Sequence, residues 1–125
     1  MKSSLRVFVV EDSPIIRRRI IDNLIALGQF DVVGFAESED EAVEAIKGLR
    51  PDVIVTDIRL KEGNGIEVVR QVRADAQSPS PKIFVLTNYA YPEYQTQCQL
   101  AGADAFFDKS SEYETFLDRL QKVAS

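Results

Sequence analysis

In this chain, polar residues able to do chemistry fall at the ends of apolar runs. Glu11 and Asp12 follow Leu5-Arg6-Val7-Phe8-Val9-Val10, and Asp57 follows Val53-Ile54-Val55-Thr56. Thr87 closes Ile83-Phe84-Val85-Leu86, and Lys109 comes directly after Ala105-Phe106-Phe107-Asp108. Taken singly, each has a plain reading. An Asp after a strand forms a turn or caps a helix, Thr87 ends a strand, and Lys109 is a solvated charge. Their joint placement is what points to a site. Carboxylates gathered at one spot repel unless a cation joins them. Donors that are all oxygen, with no Cys or His among them, favour a hard ion such as Mg2+. The charges of Glu11, Asp12 and Asp57 then balance those of one Mg2+ and Lys109. Such a centre can receive a transferred phosphoryl group, whose equatorial oxygens need cationic and hydroxyl support. Asp57 is the attacking carboxylate, and Thr87 offers its hydroxyl to a phosphoryl oxygen.

For these residues to meet, the chain must bring strand ends together. It alternates strand-like and helical patterns, five of each. Ser13-Pro14 opens a first helix with Ser as N-cap and Pro at the first helical position. Ile16, Ile20, Leu24 and Leu27 give it an inner face, and Gly28 stops it. Phe30 to Ala36 reads as the second strand. Ser38 with Glu41, and Ser111 with Glu114, form expected capping boxes for the second and fifth helices. The third helix turns Ile66, Val69 and Val72 inward after the loop Gly63-Asn64-Gly65. Ser78-Pro79-Ser80-Pro81 is a connector within the domain, and the fourth helix starts near Pro92 and ends before Gly102. Arg17, Arg18 and Arg19 read as a solvated helix face, and Cys98 as a small, partly buried residue. This βα alternation predicts an α/β fold: a doubly wound five-stranded parallel sheet with helices on both faces. In a sheet ordered 2-1-3-4-5, Asp12 and Asp57 face one crevice at the carboxyl ends of the strands.

Bulk properties narrow the function. A chain of 125 residues, 45% hydrophobic and 28% charged, suits one domain over 1–125. Its net charge of −5 disfavours direct binding to nucleic acid or to an anionic membrane. With no histidine, Ser-His and Cys-His nucleophile pairs are excluded, and any phosphohistidine must belong to a partner. The single cysteine allows no internal disulfide, and the N-terminal apolar run is too short for a signal peptide or a membrane span. The expected location is the cytoplasm.

The ordered motifs Val9-Val10-Glu11-Asp12-Ser13, Pro51-Asp52-Val53-Ile54-Val55-Thr56-Asp57, Asn64-Gly65-Ile66-Glu67, Leu86-Thr87-Asn88 and Ala101-Gly102-Ala103-Asp104-Ala105-Phe106-Phe107-Asp108-Lys109 resemble the bacterial two-component receiver family over essentially the whole chain. The resemblance implies a flavodoxin-like fold and a phosphorelay switch rather than a turnover enzyme. It implies that Asp12, Asp57 and the backbone carbonyl of Arg59 bind Mg2+ directly, with Glu11 acting mainly through water. Asp57 then takes its phosphoryl group from a sensor histidine kinase or a histidine phosphotransfer protein. Thr87 and Lys109 contact that group, and Phe106 turns inward as Thr87 moves. The face of the fourth helix, fifth strand and fifth helix binds an output partner. Arg59 and Tyr89, two beyond the phosphoacceptor and two beyond the threonine, flank the path of hydrolytic water.

This sequence departs from the family at three places: Phe106 where many members have Tyr, Lys61 where Pro is frequent, and Ser110 where the family usually has Pro in a cis bond after the lysine. Other classes fit worse. A haloacid-dehalogenase-type phosphatase has a second Asp two residues after the first, and here that residue is Arg59. An FMN carrier has a glycine- and hydroxyl-rich phosphate loop after the first strand, where Glu11-Asp12 repels phosphate. The chain ends with its last helical pattern, consistent with a stand-alone receiver or with a piece of a longer protein.

Overall fold

The computed structural model describes residues 4–75 and 80–124. Ser78 and Pro79 of the expected connector lie outside these. The elements alternate as the pattern predicts: β1 (Leu5–Val10), α1 (Pro14–Leu27), β2 (Phe30–Ala36), α2 (Glu39–Leu49), β3 (Val53–Thr56), α3 (Gly65–Ala74), β4 (Lys82–Thr87), α4 (Pro92–Ala101), β5 (Ala105–Asp108) and α5 (Tyr113–Ala124). All strand pairs are parallel and the order is β2-β1-β3-β4-β5.

The central strands are buried on both faces, because side chains alternate across a strand and both faces carry helices. Val7, Val9, Val53, Val55, Phe84 and Leu86 join the core that includes Ile20 and Leu24 of α1 and Phe116 and Leu120 of α5. Phe8, Val10, Ile54, Ile83 and Val85 join the core that includes Ile46 of α2, Val69 of α3 and Cys98 of α4. Cys98 is fully buried rather than partly so. Burial of its thiol raises the pKa to about 11.

Helix ends follow local chemistry with two exceptions. Ile16 N–H donates to Ser13 Oγ, and Gly28 takes the left-handed conformation (φ 78°) that ends α1. Ser38 precedes α2 but caps no backbone amide; its hydroxyl donates instead to Glu41 Oε1 at 3.1 Å. In α5, the helix begins at Tyr113, too late for Ser111 and Glu114 to form a box. Glu112 supplies the carbonyl that accepts from Phe116 N–H.

Candidate functional site

Four parallel strands end at one rim, and their ends carry the polar residues. Glu11 continues β1 as a paired residue, its N–H donating to Ala36 O, and Asp57 continues β3 through Val10 O. Lys109 continues β5 through Thr87 O at 2.9 Å. The sheet therefore places the side chains, and the loops beyond it complete the rim.

Lys109 Nζ donates to Glu11 Oε1 at 2.7 Å and to Asp57 Oδ2 at 2.8 Å. All three side chains are buried, at 8%, 2% and 7% exposure respectively. Asp57 Oδ1 accepts from Ile58 N–H at 2.6 Å, so each oxygen of this carboxylate has a donor. Glu11 Oε2 accepts from Ser13 N–H at 3.1 Å. Burial raises the pKa of Glu11 above its ordinary value, against the lowering effect of the Lys109 hydrogen bond. Burial alone lowers the pKa of Lys109, but the charge of Asp57 and the hydrogen bonds that Lys109 donates to both acids outweigh it and raise the value. The lysine is thus held as a cation between two acids, one of them reluctant to ionise.

Asp12 is half-buried on the adjoining loop and, among the described residues, makes no ion pair. Thr87 is fully buried and its Oγ1 accepts from Tyr89 N–H at 3.0 Å. Phe106 is half-buried and packs against the core beneath α2, α3 and α4. Arg59 is exposed, and its guanidinium lies over the Tyr89 ring, 4.4 Å from the centroid. Ile15, at the start of α1, is 83% exposed.

The donor chemistry fits a divalent cation, since Glu11 and Asp57 are buried carboxylates and Asp12, the next residue after Glu11, is a third oxygen donor on the same loop. Among the described residues, no three His, Cys, Asp or Glu side chains already form a cage for a metal. In this arrangement Lys109 occupies the two carboxylate oxygens that face it.

Two supports were not legible as functional. Arg17, expected to be solvated with Arg18 and Arg19, is only 13% exposed. Its Nη1 donates to Glu11 O at 3.0 Å and to Glu37 Oε2 at 2.9 Å, and its guanidinium lies 4.1 Å from the Phe35 ring centroid. It ties the acid loop to the end of β2. The signal was its spacing: Arg17, Ile21 and Leu24 share one side of α1. Gly65 is the second support. A Cβ there would overlap the backbone oxygen of Asp57. Only glycine lets α3 start this close to the acid, with Gly65 N–H on Ile58 O at 2.7 Å.

A family model for the response regulator receiver domain matches residues 7–121. The chain is 39% identical over 105 residues to the DNA-binding transcriptional activator DevR/DosR of Mycobacterium tuberculosis, a match covering 84% of this chain and 48% of that protein. It is 30% identical over 119 residues to the chemotaxis protein CheY of Thermotoga maritima, covering 95% and 97%. The solved signal receiver domain of the response regulator NarL from M. tuberculosis superposes with a TM-score of 0.87 at 27% identity, covering 98% of this chain and 97% of that one. The chain spans about half the length of the DevR/DosR activator and 31% of a protein-glutamate methylesterase/protein-glutamine glutaminase from Syntrophus aciditrophicus, to which it is 35% identical over 109 residues. With strand order, rim residues and relatives in agreement, the chain belongs to the response regulator receiver domain family.

Proposed function

We propose that this domain accepts a phosphoryl group on Asp57 from a partner's phosphohistidine and uses the event to alter its α4-β5-α5 face for an output partner. The observation that carries the reading is Lys109 Nζ, within hydrogen-bond distance of both Glu11 and Asp57, while the Lys109 backbone is paired to that of the buried Thr87. An Asp57 oxygen attacks phosphorus, an O–P bond forms, and the N–P bond breaks with its electron pair leaving on the partner's imidazole. Lys109 neutralises charge on the arriving oxygens, and Thr87, whose Oγ1 accepts from Tyr89 N–H, donates its hydroxyl proton to one of them. Asp12, Asp57 and the Arg59 carbonyl would hold Mg2+, with Glu11 acting through water. The ion would screen the carboxylates from the incoming phosphate.

Ile15 is placed to meet the donor's histidine-bearing helix, being apolar, exposed and one turn from Asp12. Phe106 lies beside α4 and can follow Thr87 inward, without a hydroxyl to form a new hydrogen bond. Among the described residues no helix is long and apolar enough to cross a membrane. The reading places the domain in the cytoplasm, where a kinase or phosphotransfer protein can reach it, with no direct role in binding nucleic acid.

The test is incubation with acetyl phosphate and Mg2+, followed by intact-mass measurement. One acid-labile phosphoryl group is expected on the wild type. Chelation of the metal should suppress it, and Asp57→Asn should abolish it. Labelling of Asp57→Asn at the wild-type rate would overturn the assignment.

A further inference from the structure

We propose that Asp108 and Glu112 are positioning residues for Lys109, closing residues 108–112 into a ring that sets the lysine's backbone; this rests on the reading of Lys109 given above. The lysine has a flexible four-carbon stem, yet its ammonium meets two buried oxygens at 2.7 and 2.8 Å. Such aim requires a fixed Cα. The sheet supplies one restraint, Lys109 N–H on Thr87 O, and β5 ends at Asp108.

Beyond that point the backbone is held by its own neighbours. Asp108 Oδ1 accepts from Ser110 N–H at 2.9 Å and from Ser110 Oγ at 2.7 Å. Asp108 N–H donates to Glu112 Oε1 at 2.9 Å, and Glu112 N–H returns to Asp108 O at 2.8 Å. Restraints therefore lie on both sides of Lys109. The Asp108 carboxyl is held below its ordinary range, chiefly by the Ser110 hydroxyl and then by the Ser110 amide, so it is ionised and accepting at neutral pH. The ring does at Ser110 what a proline would do covalently, because proline fixes φ and has no N–H to satisfy.

The substitutions separate this role from general stability. Asp108→Ala leaves the Ser110 amide without its acceptor, and labelling of Asp57 by acetyl phosphate should slow about tenfold, a loss typical of a slightly misplaced catalytic group. Asp108→Asn keeps the Oδ1 acceptor and should label near the wild-type rate. Ser110→Pro added to Asp108→Ala should restore most of the rate, since the ring no longer needs the carboxylate. NMR of the Lys109 ammonium should show its signal displaced in Asp108→Ala and returned in the double variant. A wild type that does not label sinks the phosphoryl-acceptor reading itself. A labelling wild type with an equally fast Asp108→Ala overturns the positioning role, as does a slow Asp108→Ala that Ser110→Pro fails to correct.

Discussion

The loop after β3 and the loop after β5 both complete the acid rim, and they are held by opposite means. The first is pinned from outside. Lys61 N–H donates to Glu37 O at 3.0 Å, Glu39 N–H to Glu62 O at 2.9 Å, and Asn64 N–H to Glu39 Oε1 at 3.2 Å. Its partners come from the β2–α2 corner, some 25 residues away in sequence. The second loop is closed from within, through partners two to four residues apart. A loop held by distant elements shares their packing, so damage to it spreads into the fold. A loop held by its own neighbours can be altered with the core intact. Arg17 extends the external frame, because Glu37 takes the Arg17 guanidinium on its side chain and the Lys61 amide on its backbone. The acid pair of β1 and the loop after Asp57 are thus braced by one corner.

The largest break in that contrast should come from Gly65→Ala. The new methyl group meets Asp57 O and Thr56 Oγ1, with no flexible side-chain end to give way. Overpacking of this kind costs about 2–3 kcal/mol. A lower urea midpoint with an unchanged slope, together with slower labelling at Asp57, is the expected outcome. A neutral effect on both would mean that α3 can slide away from the acid freely.

Glu39→Ala sharpens the comparison. Glu39 accepts from Asn64 N–H and, at 2.8 Å, from Gln71 Nε2, whereas Ser110 has its bonds within one short loop. A loss of about 1 kcal/mol is expected for Glu39→Ala, against less than about 0.5 kcal/mol for the exposed Ser110→Ala. Equal losses in paired urea titrations would erase the distinction between external and internal bracing.

The smallest expected effect concerns phosphoryl lifetime. Arg59, on the externally braced loop, stacks on Tyr89 rather than turning to an acid, and both side chains are large. In the proposed phosphorylated state, water must approach phosphorus in line, opposite the departing Asp57 oxygen. Arg59 has no lone pair to accept a proton from it. Replacing the pair by Arg59→Asn with Tyr89→Glu should speed phosphate release a few-fold, well below the roughly hundredfold or more of an aligned general base. Slower release from that double variant would favour Arg59 as a charge stabiliser over the stack as an obstruction.

Local chemistry made the elements and the rim legible. β-branched runs, the Ser13-Pro14 start, the Gly28 and Gly102 stops and the βα alternation each depend on a few adjacent residues, and the structure reproduces them. The rim residues were readable for the same reason: a parallel sheet puts every strand's carboxyl end on one side. Caps were less legible, because a hydroxyl has several acceptors within reach and a helix can start a residue late; Ser38 turns to Glu41, and α5 begins at Tyr113, past the reach of Ser111. Only tertiary structure decided which cation meets which acid. Lys109 and Glu11 are 98 residues apart, and Arg17 and Glu37 are 20 apart. An ion pair forms through approach and burial in three dimensions, and spacing along the chain carries neither.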